Sequence, residues 1–353
     1  MNRIYRAARM ARDSGPMDFD LSADQEALRE GAVALLADLA SPARVRAHTE
    51  RGDAYDAELW AAMRDQGWPA LELAEADGGI GLGTVEAAVL IEQVGRHGAP
   101  APFTPTLLAV DALARSGEVE TAAALVSGDR LACVAGDPAA PVPYAPSADL
   151  AIVVGADGVY ALDLPDPPRR EPAMDLTREL GWLEFDPTRA RRIGGPEARE
   201  RLVDRGAVFA AADLLGTAGR ALDLTVEYAK ERVQFGRPIG SFQAVKHRCA
   251  DMLVDVEGMR STVYWAAWAI AADDADASVA ASTAKVWCTD ASKRVMASAL
   301  QVHGGIGFTW EHDLHFSMKR AHLDQLAFGD AAAHRARLVA LLRPRVEAGA
   351  SVV

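Results

Sequence analysis

The sequence predicts a mainly α-helical protein in which a small β-rich segment separates two helical parts. Three observations support this fold class. Apolar residues recur at helical spacing from Leu21, β-branched residues and prolines are frequent after residue 128, and Ala-, Leu-, Glu- and Arg-rich tracts return from residue 196. The chain of 353 residues is long enough for several packed units, because single hydrophobic cores stop growing at roughly 250 to 300 residues.

The N-terminal helical part is expected over residues 17–127. Ser22 is a plausible N-cap for its first helix. Apolar periodicity predicts further helices from Glu58 to Gly67 and from Thr84 to Gly98. The Gly-rich stretch at residues 75–81 follows no predicted strand, so it is interpreted as a loop between helices rather than as a dinucleotide-binding loop.

The middle part, residues 128–195, is expected to form a short β-domain. The β-branched run from Leu150 to Val154 and the run from Val159 to Leu162 are separated by glycines, which predicts a hairpin. Further short strands are predicted from Thr177 to Phe185 and near Ile193.

The C-terminal part, residues 196–345, is expected to form a helical bundle. Its long predicted helices run from Arg199 to Arg232, from Ser241 to Asp273, from Ala277 to Val302 and from His334 to Leu342.

Composition and charge argue against several classes of protein. The formal net charge is −13 and the isoelectric point is about 5.1, so nucleic acids and anionic membranes would repel the chain. No apolar run approaches the roughly 18 residues that span a bilayer, and the basic residues 1–16 lack the apolar core of a signal peptide. We therefore expect a cytoplasmic protein without a membrane span, in which residues 1–16 are a disordered leader before a more ordinary start at Met17.

The cysteines and histidines predict no metal site. Cys133, Cys249 and Cys288 are far apart and form no C-x-x-C pair, so reduced thiols are expected. His312 and His315 are spaced to share one face of a helix, but no cysteine or carboxylate completes a ligand set.

Two motifs in the C-terminal part indicate a ligand. The first, from Glu231 to Gln243, reads E-R-V-Q-F-G-R-P-I-G-S-F-Q and is predicted to end one helix at Gly236 and to begin another near Phe242. A new helix N-terminus leaves unpaired amide groups, which attract phosphate oxygens. The second motif, from Gln301 to Thr309, reads Q-V-H-G-G-I-G-F-T and lies at the C-terminus of a later predicted helix.

In this order, the two motifs resemble the signatures of the acyl-CoA dehydrogenase family. The resemblance implies an N-terminal helical domain, a middle β-domain that is shortened here, and a C-terminal four-helix bundle. It also implies FAD as the cofactor. In the family the first motif grips the ADP half of an FAD, and the second contacts the ADP half of the flavin in the neighbouring subunit. Carried over residue by residue, the implied cofactor-binding residues are Arg232, Phe235, Gln243, Gln301, Gly304 and Gly305.

The implied reaction is α,β-dehydrogenation of a CoA thioester, in which a carboxylate removes the α-proton and the flavin accepts a hydride. The two family positions for this base correspond here to Phe328 and Gly206, and neither residue can accept a proton. Asp330 is the remaining candidate for the catalytic residue, and its competing role is to cap the following helix. Asp213 is a weaker candidate that could instead be a structural acid.

The middle part departs from the family as well. It contains no T-E-x-x-x-G-S-D-like stretch, and the nearest segment, from Cys133 to Asp137, lacks the acid and the serine. Chains with such deficits resemble the partner half of α2β2 dehydrogenases, in which one subunit carries the base and the other completes the FAD site. The stretch from Thr309 to His315 also resembles that subgroup, several members of which act on bulky thioesters such as steroid side chains.

The resemblance implies three kinds of partner: an acyl-CoA thioester, an electron-transfer partner, and either a second family subunit or further copies of this chain in a tetramer. Two alternatives to the base-lacking role stay open. One is a self-sufficient homomeric dehydrogenase that uses Asp330 as its base. The other is a structural or regulatory relic that binds no flavin.

Overall fold

A computed structural model describes residues 20–349 of the chain. The predicted leader, residues 1–16, and Met17 lie outside the described residues. Within residues 20–349, no helix combines the length and the apolar character needed to cross a membrane.

The N-terminal part is helical, as predicted. Ser22 caps the first helix by accepting a hydrogen bond from the Gln25 amide, and the Gln25 side chain bonds back to the Ser22 amide. The predicted loop at residues 75–81 is confirmed, with one short 3-10 turn at Glu75–Asp77. The helices of this part are α1 (Ala23–Leu39), α2 (Pro42–Arg51), α3 (Ala57–Asp65), α4 (Thr84–His97), α5 (Phe103–Ser116) and α6 (Val119–Ser127).

The middle part contains short strands: β1 (Ala132–Ala135), β2 (Val142–Pro143), β3 (Leu150–Val154), β4 (Val159–Asp163), β5 (Leu180–Gly181) and β6 (Arg191–Gly194). The main sheet has the order β1-β3-β4-β6, and β3 and β4 form the predicted hairpin. β1 runs parallel to β3, whereas the other pairs are antiparallel.

The strand predicted from Thr177 to Phe185 is largely wrong, because only Leu180–Gly181 pairs with β2. Its beginning is held in a turn by Asp175, which accepts hydrogen bonds from the Thr177 amide at 2.9 Å and from Nε of Arg178 at 2.7 Å. Side-chain bonds therefore replace strand pairing in this segment.

The C-terminal part is a helical bundle made of α7 (Pro196–Glu231), α8 (Gln243–Ala271), α9 (Ala277–His303), α10 (Leu314–Leu326) and α11 (Ala331–Glu347). The predicted end of the first long helix at Arg232 agrees with the end of α7 at Glu231, whereas the expectation that this helix stops at Gly236 is wrong. Helix α10 was not predicted. His312 precedes α10, so the expectation that His312 and His315 share one helix face is wrong.

Close packing between α4 and α7 depends on two glycines. A Cβ atom at Gly216 on α7 would lie 1.8 Å from the backbone oxygen of Glu92 on α4, and one at Gly95 on α4 would lie 2.3 Å from the backbone oxygen of Asp213 on α7. The two backbones approach this closely because both residues lack a Cβ. Helix α7 also packs against α8, α9 and α10, so it is the central helix of the bundle.

Candidate flavin-binding surface and base pocket

A short β-ribbon fills the break between α7 and α8. Val233–Gln234 pairs with Arg237–Pro238, and the turn between them contains Phe235 at φ +54° and Gly236 at φ +76°. The ring of Phe235 is 91% exposed. Val233 on the same ribbon is 54% exposed, and grouped exposed apolar side chains mark surfaces that a ligand or another protein covers.

The N-terminus of α8 is arranged to attract an anion. Phe242 at the N-cap position provides no side-chain hydrogen bond, and the first turn contains no acidic residue. Lys246, His247 and Arg248 follow, all exposed. Because the N-terminal end of a helix dipole is positive, acidic side chains are usually favoured there. The free amide groups and the basic side chains together favour phosphate oxygens at this end of α8.

The second break follows α9, which ends at His303. Gly304 adopts φ +62° and ψ −139°, a conformation that only glycine adopts readily. A Cβ atom at Gly305 would meet no other atom within 4 Å, so its backbone is open to a close approach from outside the chain. His303 stacks on Tyr228 of α7 with ring centroids 4.7 Å apart, and this contact brings the two breaks to the same end of the bundle.

The structure therefore places the six predicted cofactor-binding residues on one exposed end of the bundle. All six lie in exposed positions: Arg232, Phe235, Gln243, Gln301, Gly304 and Gly305. The basic first turns of α8 also belong to this surface and were not predicted from the sequence. The run Lys246, His247, Arg248 directly after the motif was the available signal.

The two positions that correspond to the family's base lie in contact with each other. A Cβ atom at Gly206 on α7 would lie 2.2 Å from Cδ1 of Phe328, in the segment between α10 and α11. A Cβ atom at Gly136, just after β1, would lie 2.6 Å from the same carbon. The Phe328 ring therefore lies between the two glycines.

Asp330 lies outside this contact. Its Oδ1 accepts a hydrogen bond of 2.8 Å from the amide of Ala333, so it caps α11. This backbone hydrogen bond lowers the pKa of Asp330. The carboxylate is exposed and engaged as a cap, an arrangement that does not favour its role as a proton acceptor beside a buried substrate.

Asp213 forms a buried ion pair. Its two oxygens accept hydrogen bonds of 2.8 and 2.6 Å from Nε and Nη2 of Arg320. Burial would raise the pKa of Asp213, but the charge and hydrogen bonds of Arg320 lower it below the ordinary value. The structural interpretation of Asp213 therefore agrees with the geometry.

A pocket of about 230 Å³ lies between α5, the end of β1, α7 and the segment from α10 to α11. It is smaller than the roughly 300–1,000 Å³ of typical ligand pockets. Its walls include Leu108, Phe209 and Phe328. The pocket is thus mainly apolar and is reduced on one side by the Phe328 ring.

A buried network of charges that was not predicted from the sequence also lines the pocket. Arg178 donates to Asp175 at 2.7 Å and to Oδ1 of Asp324 at 2.6 Å, which links the β-domain to α10. Burial raises the pKa of Asp324 to about 7 against the opposing charge of Arg178. Lys285 on α9 donates to the backbone oxygen of Asp324 at 2.5 Å, and burial lowers its pKa to about 8. The contacts of Asp324 with Arg178 and Lys285 join residues far apart in sequence, so no local pattern indicates them.

The histidines near the second motif form an aromatic cluster. His303 contacts His312 with ring centroids 4.5 Å apart, and His315 stacks on Trp310 at 4.5 Å. Among residues 20–349, no three His, Cys, Asp or Glu side chains are grouped to hold a metal ion. Cys133, Cys249 and Cys288 are free thiols, and burial raises the pKa of Cys133 and Cys288 to about 12.

Comparison with known proteins identifies the family. Residues 22–127 match the N-terminal domain of acyl-CoA dehydrogenases, and residues 195–342 match the C-terminal domain. Over 305 residues the chain is 38% identical to the acyl-CoA dehydrogenase IpdE2 of Mycolicibacterium smegmatis, a match that covers 86% of this chain and 93% of the relative. The chain therefore belongs to the acyl-CoA dehydrogenase family, whose members are oxidoreductases that act on CoA thioesters.

Solved structures share this fold along nearly the whole chain. A chain of the ChsE4–ChsE5 complex from Mycobacterium tuberculosis has a TM-score of 0.82 and 30% identity, covering 93% of this chain and 99% of that one. A chain of the Tcur3481–Tcur3483 steroid ACAD has a TM-score of 0.82 and 29% identity, covering 92% and 99%. The predicted acyl-CoA dehydrogenase fold is confirmed.

Proposed function

We propose that this chain is a subunit of an FAD-dependent acyl-CoA dehydrogenase and completes the flavin site for a partner subunit that carries the base. The assembled enzyme would catalyse α,β-dehydrogenation of a CoA thioester. The observation that carries this proposal is the contact between Gly206 and Phe328. Both positions for a base are filled by residues without a titratable group, and the ring of one covers the other.

The exposed end of the bundle supports the flavin-binding part of the proposal. Arg232 and the N-terminus of α8 would hold the diphosphate, Phe235 and Gln243 would flank the adenosine, and Gln301, Gly304 and Gly305 would meet the ADP half across the subunit interface. When bound, the flavin would supply the hydride acceptor. The role of this chain is then to bind and orient the cofactor and to exclude water from it.

Exposed apolar side chains support assembly with a partner. Phe308, within the second motif, is 76% exposed, and Phe235 is 91% exposed. Ile306 in the same motif is 42% exposed, and grouped exposed apolar side chains mark sites of association with another protein. The similarity to a chain of a two-protein complex and to a steroid ACAD favours a hetero-oligomer that acts on a bulky or steroid-derived thioester. Electrons would leave the complex through a separate electron-transfer partner.

Co-expression tests the proposal. The chain is purified alone and together with a second acyl-CoA dehydrogenase-family subunit that carries a Glu at either base position, and each preparation is assayed for bound flavin by absorption and for thioester oxidation. We expect flavin and activity only in the co-purified complex. A yellow, active preparation of the chain alone that loses activity on Asp330→Asn would instead establish the homomeric alternative. A colourless complex would establish the flavin-free one.

Arg232→Ala tests the cofactor surface within that complex. Loss of a charge-assisted hydrogen bond to phosphate removes roughly 1.5–3 kcal/mol, so we expect flavin affinity to fall about 10- to 150-fold. Arg169→Ala is the matched control, because that side chain is 85% exposed on the β-domain. Equal flavin retention in the two variants would contradict the assignment of Arg232.

A further inference from the structure

The segment that carries Phe328 is fixed in place by several independent contacts. Phe328 adopts φ +54°, a left-handed conformation that a residue with a bulky side chain rarely adopts. Its carbonyl oxygen accepts a hydrogen bond of 2.9 Å from Nε2 of His334. The other ring nitrogen of His334 faces the hydroxyl of Ser282 at 3.2 Å. Asp330 caps the helix that follows. Phe328 is therefore held in an unfavourable backbone conformation by the structure around it.

The Phe328 ring lies in a slot between two glycines that fits its shape. Gly206 forms one side and Gly136 the other, and a Cβ atom at either position would overlap with the ring. One side belongs to α7 and the other to the end of β1, so the ring closes the gap between the bundle and the β-domain. Three residues from separate parts of the chain thus fit together, and the fit requires glycine at two of them.

We propose that Phe328 is the residue that excludes the acyl group of a CoA thioester from this chain's own pocket. This inference rests on the proposed function, because it explains how a base-lacking subunit avoids binding substrate that it cannot convert. The pocket that remains beside the ring holds about 230 Å³ and has apolar walls. Removal of the ring would join the space between Gly206 and Gly136 to this pocket and admit an acyl chain.

Phe328→Ala in the co-purified complex tests the inference with butyryl-CoA as the probe, titrated calorimetrically without an electron acceptor and without oxygen. We expect the variant complex to bind one additional equivalent of butyryl-CoA per pair of subunits, compared with the wild-type complex. Leu326→Ala is the matched control, because this neighbouring side chain is 57% exposed and lies at the rim of the pocket. No additional equivalent with Phe328→Ala, or an equal gain with Leu326→Ala, would overturn the inference.

A second pair of variants tests the slot independently of substrate and remains informative if Phe328→Ala does not assemble. Gly206→Ala should lower the melting temperature of the wild-type complex by at least about 2 °C, because the added methyl group overlaps with the ring. In the Phe328→Leu background, Gly206→Ala should lower the melting temperature by measurably less. Equal decreases in melting temperature in both backgrounds would contradict the fit of the Phe328 ring against Gly206. A failure of the proposed function is distinguishable, because it would leave the wild-type complex without flavin or without a partner.

Discussion

Replacement of Asp213 by Asn should destabilise the protein strongly, because it breaks a buried ion pair and leaves the other partner charged. Asp213 and Arg320 are each 3% exposed, and two hydrogen bonds of 2.8 and 2.6 Å connect them. Asn is nearly the same size and can accept one of the two hydrogen bonds. The substitution therefore removes the negative charge without opening a cavity.

The magnitude follows from the remaining partners of Arg320. Loss of one member of a buried ion pair costs about 3–5 kcal/mol. Arg320 keeps the backbone oxygen of Ala99 at 3.3 Å and the hydroxyl of Thr177 at 3.2 Å, and both are neutral. Since these partners offset part of the loss, we expect about 3 kcal/mol, the lower end of the range. This is a large fraction of the 5–15 kcal/mol that typically separates the folded and unfolded states.

Urea denaturation at pH 7.5, followed by far-ultraviolet circular dichroism, measures this cost. Asp223→Asn is the matched control, because Asp223 lies on the same helix and pairs with Arg96 in a pair whose side chains are 40% and 37% exposed. Exposed ion pairs contribute at most about 1 kcal/mol. A loss with Asp213→Asn no larger than the loss with Asp223→Asn would refute the structural role of the buried pair.

Two further substitutions have defined outcomes. Asp324→Asn should flatten the dependence of stability on pH. The pKa of Asp324 in the folded protein, about 7, is higher than that of a carboxyl group in the unfolded chain, about 4. The wild-type carboxyl therefore stabilises the fold fully below pH 4, and this contribution is lost as the pH rises to 7. A variant whose stability changes with pH in parallel with the wild type would contradict this. Gly216→Ala should prevent soluble expression or cost about 3 kcal/mol, the upper end of the usual cost of overpacking, because its methyl group would lie 1.8 Å from the oxygen of Glu92. Gly31→Ala, with no atom within 4 Å, should be neutral or slightly stabilising.

Local sequence patterns predicted much of the fold. The hairpin from Leu150 to Leu162 follows from a β-branched run and a second apolar run with glycines between them, and Ser22 caps its helix as predicted. Helix α10 was missed because buried charged residues interrupt its apolar face. Arg320 and Asp324 suggest solvent exposure in the sequence, but they are buried against partners from other parts of the chain.

The candidate site was predictable only as far as its motifs are local. Arg232 to Gln243 and Gln301 to Gly305 identify two breaks in the bundle, and the structure places them at one end. The slot around Phe328 was not predictable, because Gly136 and Gly206 reach it from different parts of the chain. The resemblance identified Phe328 and Gly206 as positions without a base, but only the fold brings the two residues into contact.

A structure of the co-purified, flavin-saturated complex would show where the cofactor binds. We expect the diphosphate to lie within hydrogen-bonding distance of Arg232 or of the N-terminal amides of α8, with Gly304 and Gly305 facing the ADP half at a subunit interface. A complex with fully bound flavin whose ADP half lies away from both breaks would contradict it.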